Sequence, residues 1–410
     1  METSDLKVLF TAPSGGGKTV LLSSFSKVLS MGNRAGNGFY VSGRDMGDLS
    51  KVYFQMVQQC HWPAPTEIGE FFSYEFQMYP YDSVKQAVPP LINFSYFDFP
   101  GEITTKTRAE IKDEAEMRCF EAYREVQETC DVHVVALDGL KLAALIRGGI
   151  KTKDGNACRA FNEAILNKTK ANMAAQLFTA LNHSIQIDDL NMPDYKPLLI
   201  AITKWDIAKL LGISLENVKT FLLSAEVGLS DELMRVPRDI ILIPVSVTGD
   251  NKTFMNVTET GVSIDIINKE FTPYNVNILF NLVFYTATKA RLDNIMEDYM
   301  TVRNEGEKEL LVRKSKLDAE LREIEGKQGI WGLLGRMRRR VVDVYEKVTS
   351  EHGMTEKDML AMALMKIKED DFIEKELDKE GKIPYLNKVL LNMKDVLDRN
   401  INSYMYLKRR

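Results

Sequence analysis

The chain has 410 residues, of which 45% are hydrophobic and 27% charged, with a formal net charge of −5 and a pI near 5.7. Those proportions are ordinary for a soluble globular protein and allow about two to three domains at roughly 150 residues each. The acidic balance gives no global reason to expect nucleic-acid binding, and four scattered cysteines without a C-x-x-C pair argue against a zinc site or a disulfide framework.

Leu6 to Phe10 (L-K-V-L-F) reads as a strand and runs into A-P-S-G-G-G-K-T, Ala12 to Thr19; Val20 to Leu29 then carries apolar residues at helical spacing. Strand, glycine-rich loop and helix, in that order, is the context a phosphate-binding loop requires. Glycines without Cβ let consecutive N–H groups turn towards one anion, and the helix N-terminus adds a partial charge of about +0.5. Ser14, Gly15, Gly16, Gly17 and Val20 are therefore expected to cradle phosphates through the backbone. Lys18 would reach the β- and γ-phosphates and the Thr19 hydroxyl would sit on Mg²⁺. Ala12 stands where such loops most often begin with glycine.

The first strand follows only five polar-leaning residues, so no signal peptide is expected and a cytoplasmic location is. Gly36 to Gly43 is a short strand or turn, and Asp45 to about Gln59 a helix. Cys60-His61 reads as local packing, because no second pair at ligand spacing accompanies it. Pro63 and Pro65 then break the pattern ahead of Thr66, and Glu70 to Tyr79 alternates as a half-buried strand does. Leu91 to Phe97 is a second strand, ending in D-F-P-G-E at Asp98 to Glu102. Glu110 to Cys130 is helical, Val132 to Leu137 is a continuous apolar run closed by Asp138-Gly139, and Ala160 to about Leu181 is helical again.

Pro197 to Ile202 is a strand followed by T-K-W-D, Thr203 to Asp206. Ser214 to Met234 is expected as helix and Ile240 to Val245 as strand, and Ser246-Val247-Thr248 closes the series. Apolar runs alternating with helical segments predict an α/β domain, a mostly parallel sheet with helices on both faces, over residues 1–290 with insertions around 30–65 and 140–160. No uncharged apolar run reaches the ~18 residues of a membrane span; Val276 to Ala287 is read as a buried helix. From about Asn275 the strand-like runs stop, and a helical domain is expected over 291–410. Leu310, Leu317, Leu321 and Ile324 there suggest a helical hairpin.

Two tetrapeptides refine the phosphate loop. Asp98-Phe99-Pro100-Gly101 matches D-x-x-G, in which the carboxylate can hold Mg²⁺ through water and the Gly101 N–H can meet a γ-phosphate. Thr203-Lys204-Trp205-Asp206 matches [NT]-K-x-D, in which the aspartate can accept guanine N1–H and N2–H₂ while the lysine stem lies along the base. Leaving such a carboxylate unpaired against adenine costs on the order of several kcal/mol.

With both tetrapeptides in order behind a phosphate loop, the chain resembles the Ras-like, translation-factor-related class of P-loop GTPases over about residues 1–290. The resemblance implies GTP and GDP as substrate and product with Mg²⁺. Lys18, Thr66 and Glu102 are its catalytic candidates: Thr66 looks like a switch threonine on the metal, and Glu102 stands where Ras-like enzymes carry a water-orienting glutamine. Ser246, Val247 and Thr248 look like the base-contacting fifth motif, although S-V-T departs from the usual S-A-x. Arg44 and Arg108 are internal candidates for an arginine finger, which a partner protein would otherwise supply. The W-P-x-P-T and P-G-E features are similar to the GTPase domains of the double-GTPase families of bacterial conflict systems.

Other readings stay open. An ATPase could use Val134 to Asp138 as its Walker B strand. A dynamin-like assembly GTPase could set Trp331 and Arg336, Arg338, Arg339 and Arg340, within 329–345, on an anionic membrane or an acidic partner. A scaffold could bind nucleotide with little turnover. The helical region is the expected place for a protein partner, and oligomer formation is open.

Overall fold

The computed structural model describes residues 6–13, 15–30, 39–64, 66–67, 69–80, 90, 92–151, 155, 158–164, 168–181, 184–187, 192–224, 227, 239–258, 261–287 and 383–408. Strand β1 (Leu6–Thr11) leads through the glycine loop into α1 (Lys18–Ser30), followed by β2 (Phe39–Ser42), α2 (Met46–Gln59), β3 (Phe72–Pro80) and β4 (Ile92–Asp98). Helix α3 (Glu114–Thr129) starts where Asp113 accepts a hydrogen bond from the Glu116 N–H, and β5 (Val132–Asp138) and α4 (Gly139–Arg147) follow without a break. Then come α5 (Arg159–Ala164), α6 (Lys170–Leu181), the pair β6 (Ser184–Ile187) and β7 (Met192–Tyr195), and β8 (Leu198–Thr203). The series closes with α7 (Trp205–Leu210), α8 (Leu215–Leu222), β9 (Ile240–Pro244), β10 (Thr253–Val257), β11 (Val262–Ile266), a helix α9 over 276–287, α10 (Ile383–Arg399) and β12 (Met405–Lys408).

Eight strands form one sheet in the order β12-β9-β8-β5-β1-β4-β3-β2. The five central strands are mutually parallel, and the outer β3, β2 and β12 pair antiparallel. It is thus an α/β fold built on a mostly parallel mixed sheet flanked by helices. Period-two alternation sorts the core: Val8, Phe10, Leu199, Ala201, Ile241 and Ile243 face α1, α9 and α10, whereas Leu198, Ile200, Ile202, Ile240 and Leu242 face α4, α6, α7 and α8. Burial on both faces explains why these strands read as unbroken apolar runs. Phe280 and Phe284, one turn apart on α9 with ring centroids 4.5 Å apart, press on Phe94 of β4.

Of the span 291–410, expected as a helical domain, residues 383–408 are described. Helix α10 sends Val389, Met393 and Leu397, a stripe spaced by four, into the same core as Phe10 and Phe280, and β12 covers the open edge of β9. Residues 383–408 therefore belong to the α/β unit. Leu310, Leu317, Leu321, Ile324 and the 329–345 segment lie outside the described residues. The helix expected from Ser214 is described only to Leu222, and the one expected at Ala160–Leu181 is described as helix over Arg159–Ala164 and Lys170–Leu181. The β10–β11 hairpin was not anticipated. All four cysteines are free thiols, and no helix among the described residues is long and apolar enough to cross a membrane.

Candidate functional site

The carboxyl ends of β1, β4, β8 and β9 converge on one cleft of about 490 Å³, within the range usual for small-molecule sites. Gly15, Gly16, Gly17, Lys18, Thr19 and Val20 line one part, Thr66 and Gly101 another, and Thr203, Lys204, Asp206, Ser246, Val247 and Thr248 a third. Ser14 lies outside the described residues.

The loop glycines are needed for different reasons. Gly15 and Gly17 hold φ of +75° and +83°, in the left-handed region that glycine reaches at little cost, whereas a Cβ on Gly16 would stand 2.7 Å from the Ala12 Cβ and 2.9 Å from the Pro13 carbonyl. Helix α1 begins at Lys18 with no acidic residue in its first turn, so its first N–H groups and the positive end of its dipole are left for an anion.

Beneath the loop, Asp98 sits beside Phe10 in the β1–β4 register and is wholly buried. The Thr19 hydroxyl donates to its Oδ2 at 3.0 Å, and Lys18 Nζ stands 3.8 Å from its Oδ1 and 3.5 Å from the Ala12 carbonyl. Burial pushes the Asp98 carboxyl above the ordinary carboxylate value, against the pull of Lys18 and Thr19. Burial likewise pushes the Lys18 ammonium down, against the pull of Asp98. Among the described residues no donor reaches the buried Asp98 Oδ1, so this carboxylate, with the Thr19 hydroxyl beside it, fits a hard divalent cation. The turn after it is anchored by buried Phe99 and Ile103, and Thr104 donates to the Gly101 carbonyl at 2.8 Å.

At the other end, the Thr203 hydroxyl donates to the Gly16 carbonyl at 2.9 Å and Lys204 Nζ to the Gly15 carbonyl at 3.2 Å, ties across 187 and 189 residues. Lys204 adopts φ +51°, a strained value for a residue with a side chain, and pairs with Asp138 at 2.6 Å. Asp138 also caps α4 by accepting from the Leu140 and Lys141 N–H groups. Its D-G dipeptide has a packing cause as well, since a Cβ on Gly139 would meet the Thr203 carbonyl at 2.4 Å. Asp206 is half-buried and accepts from the Ser246 hydroxyl at 2.8 Å and the Thr253 hydroxyl at 2.7 Å.

Several expectations are not drawn into this cleft. Glu102 is exposed at the start of a short 3₁₀ turn, Arg44 is exposed, and Arg108 pairs with Glu121 at the surface. Lys141 does line the cleft, with Nζ 3.9 Å from where a Gly15 Cβ would stand, and was not foreseen. Nor were Trp62, whose indole N–H donates to the Ile264 carbonyl at 2.7 Å, or the hairpin residues Thr253, Val262 and Ile264. The alternation in T-F-M-N-V and V-S-I-D-I was the available signal for that hairpin.

No protein-family model matches the chain, and no curated protein matches it significantly.

Proposed function

We propose that the protein is a P-loop GTPase that binds guanine nucleotide with Mg²⁺ and hydrolyses GTP to GDP and phosphate. The observation that carries this reading is the pair of bonds from Thr203 and Lys204 to the Gly16 and Gly15 carbonyls. They join a base-reading turn to a phosphate-binding loop, so one cleft offers a site for each end of a nucleoside triphosphate. The glycine loop, Lys18 and the α1 N-terminus receive the phosphates. Asp98 and Thr19, joined by Thr66, would hold the magnesium ion, which when bound neutralises charge between the β- and γ-phosphates. Asp206 accepts the guanine N–H pair, with the Lys204 stem along the base.

Water attacks the γ-phosphorus in line; the bond to the β-phosphate oxygen breaks, and GDP leaves. The protein contributes positioning and charge stabilisation rather than covalent chemistry. Glu102, one residue beyond Gly101, is exposed beside the cleft and is the candidate to orient that water. Between the two aspartates, Asp98 supports the metal role better, because both Asp138 oxygens accept hydrogen bonds from the α4 N-terminus and Lys204, whereas Asp98 Oδ1 has no donor among the described residues. The nucleotide state would be passed to a protein partner. Competition against a labelled guanine nucleotide tests the reading: GDP should displace it at least about a hundredfold better than ADP, and equal displacement would overturn it.

A further inference from the structure

Asp206 is held by more than the motif that names it. Ser246 Oγ donates to its Oδ1 at 2.8 Å and Thr253 Oγ1 donates to its Oδ2 at 2.7 Å, while Thr248 Oγ1 lies at the long limit of 3.5 Å from Oδ2. An ionised carboxylate offers roughly four lone-pair sites. One short hydroxyl bond on each oxygen fixes the carboxylate plane and leaves one acceptor site per oxygen. Guanine presents N1–H and N2–H₂ side by side, which matches that remaining pair; hypoxanthine presents the first donor alone, and adenine presents neither.

The two hydroxyls come from different elements. Ser246 stands two residues past the end of β9, and its backbone exchanges hydrogen bonds with Tyr274. Thr253 opens the β10–β11 hairpin, where it pairs with Ile266, and its inward neighbours Val262 and Ile264 line the same cleft. The hairpin is tied from its other strand by the Trp62 indole bond to Ile264. A β-branched side chain on a strand has few χ1 choices, so the Thr253 hydroxyl is aimed rather than free to search.

We infer that Thr253 is a positioning residue for base selection: it orients Asp206 so that both guanine donors are met, and the β10–β11 hairpin is the element that sets the base preference. This rests on the guanine-nucleotide reading above.

The test measures displacement of a labelled guanine nucleotide from the full chain by GDP, IDP and ADP. The wild type should prefer GDP to IDP. Thr253→Val should lower that preference about tenfold, the size of one hydrogen bond to a charged group. Thr253→Ala, which brings no second methyl beside the carboxylate, should do the same. Thr253→Ser should restore the preference, and Phe254→Ala, on the outward face of the same strand at 44% exposure, should leave it intact. A GDP-to-IDP ratio unchanged in both the valine and alanine variants, or lost in the serine variant, overturns the inference while leaving guanine binding standing. A wild type that does not distinguish GDP from ADP overturns the underlying reading instead.

Discussion

Asp98 has no accessible surface and Lys18 keeps 7%, so the ligand-free protein carries two buried charges only 3.8 Å apart. Each is displaced in the direction that favours its neutral form. Folded Asp98 binds a proton more tightly than unfolded Asp98, so stability is lost as pH rises from the ordinary value near 3.9 through the raised folded value. Lys18→Ala removes the charge that pulls Asp98 back down, which moves that window towards neutrality. The Lys18→Ala variant should therefore gain stability relative to wild type as pH falls through the raised folded value of Asp98, with each tenfold change in proton affinity worth about 1.4 kcal/mol. Thermal melts of both proteins across that range check it; parallel curves would contradict it. These two residues were legible as candidates because each lies in a short motif whose spacing is local. The Thr253 contact to Asp206 was not, because it joins positions 47 apart through a hairpin, and nothing in T-F-M-N-V names its target.

At the scale of elements, the turns that deliver the site are held by close backbone approaches. Gly249, at φ +84°, follows the Ser246–Thr248 loop, and a Cβ there would meet the Thr272 carbonyl at 2.2 Å. Gly249→Ala should cost about 2 kcal/mol or more and lower nucleotide affinity, read by denaturant melts and titration. Gly16→Ala meets Ala12 and Pro13 without a positive φ, so it should weaken nucleotide binding about tenfold or more while leaving the far-UV circular dichroism unchanged. The central strands were read correctly because burial on both faces writes continuous apolar runs such as V-H-V-V-A-L and P-L-L-I-A-I. Strands β10 and β11 are five residues each with one face exposed, a pattern that five residues mark only weakly. Glu102 shows the opposite limit: its position after D-x-x-G is plain in the sequence, but where its side chain points depends on the 100–105 turn.

For the whole molecule, the described residues 383–408 return to the sheet. Charge and helical periodicity from Asn275 onward suggested a separate domain, yet Met393 is fully buried against the same core as Phe94 and Phe280. The Asn275 amide also bridges the Pro244 and Ser403 carbonyls at 3.0 and 3.1 Å, which ties the chain end to the base of the Ser246 loop. Strand β12 has four residues and pairs with β9, more than 160 positions earlier in the chain, so no local pattern announces it. Met393→Ala should destabilise the α/β unit by about 2–5 kcal/mol, measured by denaturant unfolding followed on its tryptophans; a change below about 0.5 kcal/mol would mean that α10 is not part of that core.

The central claim is that this cleft binds guanine nucleotide and turns it over. Multiple-turnover phosphate release from GTP in the presence of Mg²⁺, compared between wild type and Lys18→Ala with ATP supplied in parallel, tests it most directly. The account predicts steady release from GTP by the wild type, little from ATP, and loss of release in the variant. Release from ATP at least as fast as from GTP, or wild-type release no faster than that of Lys18→Ala, would contradict it.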